Sequence, residues 1–426
     1  MLTAIPRYGV RVHPTTRQIV SACRERGEFI QGPQIAAFEQ AFAARLGARH
    51  AVTASYGRMA FYFILKALGF PRGSEIIVPA LTFWGVPEVA RVAGMTVRFA
   101  DVDPATFCMD PAAFERAITG RTRAVVPTHL YGLPCDMDAI LDVAGRHNLA
   151  VVEDCAHALG ATYRGRPVGT FGDGALFSFE TMGLLNCCGG GMAVVREASV
   201  AARVRAQVEA LPWPHERHVV NRLLVGRLRR IFTRPSVFTL TGFPILWASS
   251  YAGARPDIYR REKIRSLNPL PEDYLERCSN VQATLGLAGL DLLDSWTAAT
   301  RAHAGALSMA LADLPRVQVP AEPAERTHVY YRYSLCVPER DGLVRRCIRR
   351  GVDIETRHAD VCTQLDLFAA ERTEAPGASR AAQIVQVPVH APLTDRQLRR
   401  VTKVVRRALT ATAPGAPSSS SQAARA

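Results

Sequence analysis

Between residues 51 and 154, short runs of unbroken apolar sequence recur, each followed by a stretch of helical periodicity. They are Ala51–Ala54, Glu75–Pro79, Thr96–Val102, Ala124–Pro127 and Ala150–Asp154. A strand that is apolar on successive positions has to be covered on both faces. Strands that alternate with helices pair in parallel through helical crossovers. The pattern predicts an α/β class, with a mainly parallel sheet between two helical layers. One helix is predicted over 34–47, where Ile35, Phe38, Phe42 and Leu46 follow a Gly32-Pro33 start signal. Another runs from Met59 to Leu68, entered from the first strand through Ser55-Tyr56-Gly57-Arg58.

From about residue 296 the pattern changes. A long helix over 292–311 leads to an extended piece over 330–337, a helix over 343–350, further extended pieces and a last helix over 395–409. This predicts a smaller α+β domain over 291–410 behind a large domain over 1–290. The Ala-, Pro- and Ser-rich stretch 411–426 is predicted to be disordered. Residues 222–250 fit neither domain. They begin with Leu and Arg residues and continue as an aromatic and aliphatic run broken by Pro244. That run is too short to span a bilayer. It suits either a peripheral membrane contact or an apolar hairpin buried against the core or a partner.

With 426 residues, 48% of them hydrophobic, the chain can bury two cores. Its formal charge of +14 favours anionic partners. The excess is nearly all arginine, and the only lysines are Lys66, Lys263 and Lys403. With no accompanying nucleic-acid motif, the charge is read as compositional and no nucleic-acid partner is expected. The ten cysteines include no CxxC pair and read as reduced thiols, with no metal site expected. The start of the chain has no signal-peptide apolar core, so a cytoplasmic location is expected.

Several residues sit where a parallel sheet binds ligands. Gly57, at a strand-to-helix junction, allows close approach to the helix N-terminus, where free N–H groups attract a phosphate. Arg58 beside it offers a two-pronged cation. Phe83 and Trp84 follow the second strand. Asp154 ends a buried strand, with His157 three residues on. Taken alone, Asp154 reads equally as a helix N-cap. His129, in a loop, reads as solvated and takes no firm role. Ser178 stands within Phe177-Ser178-Phe179, ahead of Gly183 and the run Gly189-Gly190-Gly191-Met192.

Over roughly residues 28–205 and 274–408 the chain resembles the DegT/DnrJ/EryC1/StrS family of sugar aminotransferases. The resemblance implies a fold-type I architecture that uses pyridoxal 5'-phosphate (PLP), working as a homodimer on nucleotide-linked keto sugars. It implies that Gly57 and Ser178 hold the phosphate, Phe83 stacks on the ring, Asp154 meets the pyridine nitrogen, and His157 replaces a glutamine near the ring's phenolic oxygen. Three further positions depart from the family pattern. Gly183 stands where the family carries its Schiff-base lysine, Arg58 replaces a threonine, and Leu275 replaces an asparagine that reaches the neighbouring subunit's phosphate. The cofactor, as PLP or as the pyridoxamine form (PMP), is therefore expected to bind without a covalent link. Two further roles stay open: a PMP-dependent dehydratase-like enzyme, and an inactive member serving as a binding protein or as partner to an active paralogue. Any proton transfer would fall to His157, His129 or a cysteine.

Overall fold

The computed structural model describes residues 3–253, 258–259, 262–314, 316–356 and 359–411. Of the predicted tail, only Ala411 lies among them. The centre is a seven-stranded sheet. In chain order its strands are β1 (His50–Ala54), β2 (Glu75–Pro79), β3 (Thr96–Ala100), β4 (Thr122–Val125), β5 (Ala150–Asp154), β6 (Gly174–Ser178) and β7 (Gly191–Val195). The spatial order is β1-β7-β6-β5-β4-β2-β3. Every neighbouring pair is parallel except the two that involve β7. The β2 strand is buried at all five positions and β5 at four of five, as two covered faces require.

Helices pack on both faces of the sheet. The helix after β1, here α1 (Gly57–Leu68), buries Met59, Phe61, Ile64 and Leu65 in the same core as Val78 of β2 and Val152 of β5. The N-terminus of α1 presses against the sheet. A Cβ on Gly191 would lie 2.4 Å from the Gly57 nitrogen, and one on Gly57 would lie 2.8 Å from Ser178 Cβ. Only glycine at both positions lets helix, β6 and β7 meet this closely.

A second core surrounds the antiparallel pair Tyr333–Cys336 and Ile384–Val387. It is not built from C-terminal sequence alone. Ala4, Ile5, Phe238 and Leu246 are buried in it beside Leu343 and Val401. Residues 222–250 thus form no hairpin. They lie in α2 (Glu216–Phe232), a short helix over Pro235–Leu240, and α3 (Gly242–Ala252). Pro235 and Gly242 fall at helix starts, where each is compatible with helical geometry.

The helix expected over 292–311 is longer, running as α4 from Asn280 to Leu311. Its start is fixed by a capping box between Ser279 and Gln282. No described helix is long and apolar enough to cross a membrane.

Candidate active site

Gly57, Phe83, Thr128, Asp154 and Ser178 lie at or just beyond the carboxyl ends of β1, β2, β4, β5 and β6. In an open parallel sheet that edge is where ligands bind. They line one cavity of about 920 Å³, together with Arg58, His157 and Gly183. The seven positions singled out from the sequence, spread over 57–183, are therefore brought to one place.

Asp154 is 4% exposed. Burial pushes its carboxyl up from the usual range to about 6, although the Ala156 N–H donates to it at 3.0 Å and the Thr128 hydroxyl at 3.5 Å. A buried acid this poorly compensated, facing a cavity, suits a ligand that brings its own N–H donor or positive charge. Ser178 is half-buried against Gly57. The Gly57 and Arg58 N–H groups at the first turn of α1 have no carbonyl earlier in the helix to bond and offer an anion cradle at that end, while Met59 donates to the Tyr56 carbonyl at 3.1 Å. Phe83 is half-buried while Trp84 is buried, so Phe83 is the more accessible ring. His157 stacks on Tyr331, with centroids 4.2 Å apart and planes 14° from parallel.

The expected free cation at Arg58 is already engaged. Its Nη1 and Nη2 donate to the two carboxylate oxygens of Glu262 at 2.8 and 2.7 Å, and Nη1 also donates to the Tyr274 hydroxyl at 2.6 Å. The guanidinium lies 5.0 Å over the Phe83 ring. A bidentate carboxylate matches the guanidinium fork better than an isolated water does.

His129 is not solvated. It is 0% exposed and does not line the cavity. Its Nδ1 accepts from the Cys135 N–H at 3.0 Å, which leaves Nε2–H to donate to Glu153 at 3.1 Å. Glu153 also accepts from the N–H groups of Gly169, Phe171 and Gly172. The Cys155 thiol stands near this pair, and all three residues are buried. Both nitrogens of His129 are committed to protein partners, so the group braces the loop after β5 rather than facing a substrate.

None of the three lysines lines the cavity, and each is exposed. Gly183 sits in a turn closed by its own N–H donating to the Glu180 carbonyl at 2.8 Å. A Cβ at 183 would meet that carbonyl oxygen at 2.9 Å and the Leu185 oxygen at 3.4 Å. The local backbone is thus shaped around glycine. The one thiol among the lining residues is Cys188, and burial pushes it up to about 12. It stays protonated at neutral pH and is no base.

Other lining residues carry no sequence signal. Arg222 and Arg229 come from α2, and Glu262 and Asp273 from the segment beyond it. Arg222 donates to the Tyr56 hydroxyl and the Asp273 carbonyl, each at 3.1 Å. Such pairs join residues more than 50 positions apart and leave no spacing to read. Leu275 packs against the main core and stays out of the cavity.

The sequence matches the DegT/DnrJ/EryC1/StrS aminotransferase family over residues 12–211 and 270–406. The chain belongs to this family. It is 32% identical to a GDP-perosamine synthase of Caulobacter vibrioides, over 94% of the chain and 98% of that protein. It is 30% identical to a UDP-N-acetyl-3-dehydro-alpha-D-glucosamine 3-aminotransferase of Acidithiobacillus ferrooxidans, over 96% and 98%. Among solved structures, DesV of S. venezuelae in complex with a ketimine intermediate superposes with a TM-score of 0.75 at 28% identity, covering 93% of this chain and 95% of that one. The fold is therefore the fold-type I α/β architecture of PLP-dependent sugar aminotransferases. The family match omits residues 212–269, which hold α2, the short helix and α3.

Proposed function

We propose that the cavity binds PLP or PMP without a covalent link, and that the chain acts on a nucleotide-linked keto sugar in an aminotransferase-type reaction. Support for the cofactor comes from one conjunction. A buried carboxylate raised to about 6, a helix N-terminus beside Ser178 and the accessible Phe83 ring line one cavity that no lysine reaches. Asp154 would hold the pyridine nitrogen protonated, Gly57 and Ser178 would hold the phosphate, and Phe83 would flank the ring. The bound group would supply an electron sink for bond breaking at the substrate carbon. Support for the sugar class comes from the two relatives above, which match along nearly their whole length.

Gly183 occupies the position at which the family pattern carries lysine. Without that amine, a proton at the reacting carbon must move through another lining group. Cys188 is a protonated thiol, and His129 lies outside the cavity. Of the two histidines expected to take that role, His157 is the one that lines the cavity, stacked on Tyr331. The alternative is a silent member that binds the same ligand without turning it over. The observation favouring it is the Arg58–Glu262 pair, which draws a cation away from the cofactor. Family membership supports a homodimer, which light scattering on the purified chain tests.

Titration with PLP and PMP, followed by absorbance and equilibrium dialysis, tests the proposal. Saturable binding of one molecule per chain, with no absorbance band of an imine between PLP and the protein, is the expected outcome. Absence of saturable binding by either form overturns it.

A further inference from the structure

The stretch that the family match omits, residues 212–269, differs from the rest of the surface in two ways. Eight of the nine large hydrophobic side chains exposed among the described residues lie within it; the exception is Met309. They include Leu240, 78% exposed, and Trp247, 45% exposed. The same stretch carries eleven Lys and Arg against three Asp and Glu, a net +8 of the chain's +14.

The segment is anchored, not loose. Phe238 and Leu246 are buried in the second core, with Phe232 and Phe243 packed against it. Their neighbours face outward. Leu224 and Leu228 are exposed on α2, Leu240 at the end of the short helix, and Ile245, Trp247 and Tyr251 on α3. Arg227 and Arg230 are exposed on α2 and Arg234 just after it; they line a separate cavity with Leu224 and pair with no described acid. Apolar side chains held outward by a fixed inner face mark an interaction surface.

We propose that this surface docks on an anionic lipid bilayer. An apolar, aromatic and strongly basic face matches the headgroup–acyl boundary of such a membrane. At 11 residues, α3 extends only about 16 Å, roughly half a bilayer core, so the contact is interfacial and not spanning. A second copy fits less well. A two-fold contact would set a patch of eleven Lys and Arg against the same patch, with three acids on either side. This inference does not depend on which cofactor the cavity holds.

The test is co-sedimentation of the full chain with vesicles of phosphatidylcholine alone and of phosphatidylcholine with phosphatidylglycerol. Binding to the anionic vesicles only, weakening as salt is raised, is expected. Each arginine contributes about a fivefold change in partition. The variant Arg227→Gln/Arg230→Gln/Arg234→Gln should therefore bind about a hundredfold more weakly, and Ile245→Ser/Trp247→Ser should also lose binding. None of these five residues lines the active-site cavity, so PLP titration should be unchanged in both variants. No binding to anionic vesicles overturns the proposal, as does wild-type binding by the arginine variant. If Ile245→Ser/Trp247→Ser instead converts an oligomer to monomer while vesicles are ignored, the surface is a contact between copies and the proposal fails.

Discussion

Replacing Asp154 with Asn isolates the group that the cavity most depends on. The Asp154 carboxyl rises from 3.8 to about 6 on burial. That is roughly 2 pH units, or about 3 kcal/mol at 1.36 kcal/mol per unit. The folded pKa lies above the unfolded one, so the folded chain holds this proton more tightly. Stability is then lost as pH rises: none below about 4, progressively between about 4 and 6, and in full above about 6. Ligand-free wild type should lose up to about 3 kcal/mol across that window relative to Asp154→Asn. A ligand that donates an N–H to the carboxylate recovers part of this, because it favours the ionised form. PLP affinity should therefore fall about tenfold per pH unit below 6 in wild type, beyond any change seen in Asp154→Asn. Above pH 6, loss of a charge-assisted bond should leave the variant about 10- to 100-fold weaker. Thermal melts of the ligand-free proteins and PLP titrations, both over about pH 4–8, read the two effects. If wild type and variant run parallel in both across that range, Asp154 neither faces the ligand nor carries the shift.

Two other substitutions probe the changed contacts. Gly183→Ala puts a Cβ 2.9 Å from a backbone carbonyl and should cost about 1–3 kcal/mol in denaturant unfolding; an unchanged midpoint would show that the turn yields freely. Glu262→Gln weakens the hold on Arg58 and frees it toward the cavity, so inorganic phosphate should compete with PLP more strongly in this variant than in wild type. An identical phosphate inhibition curve would place Arg58 out of reach of the anion.

The strands and the ligand edge were readable because a buried parallel strand needs apolar residues at successive positions. Those same strands carry Gly57, Phe83, Asp154 and Ser178 to one rim. The reversed β7 was less readable, since Gly191–Val195 follows a glycine run that reads as a loop. The helices of the insertion were hard to read for a physical reason. Leu224, Leu228, Ile245 and Trp247 are exposed, so the apolar stripe that marks a core-facing helix is blurred. His129 reads as solvated from sequence because its partner, Glu153, lies 24 residues away on β5. Arg58 looked free because Glu262 is about 200 residues away in sequence. Pairing between distant charges leaves no local pattern.

Sodium borohydride reduction of the chain saturated with PLP, followed by intact-mass analysis and peptide mapping, bears most directly on non-covalent binding at a lysine-free cavity. Stoichiometric PLP before reduction, and no stoichiometric adduct on Lys66, Lys263, Lys403 or any other residue afterwards, is the predicted result. A single residue carrying the full equivalent of reduced cofactor would contradict it.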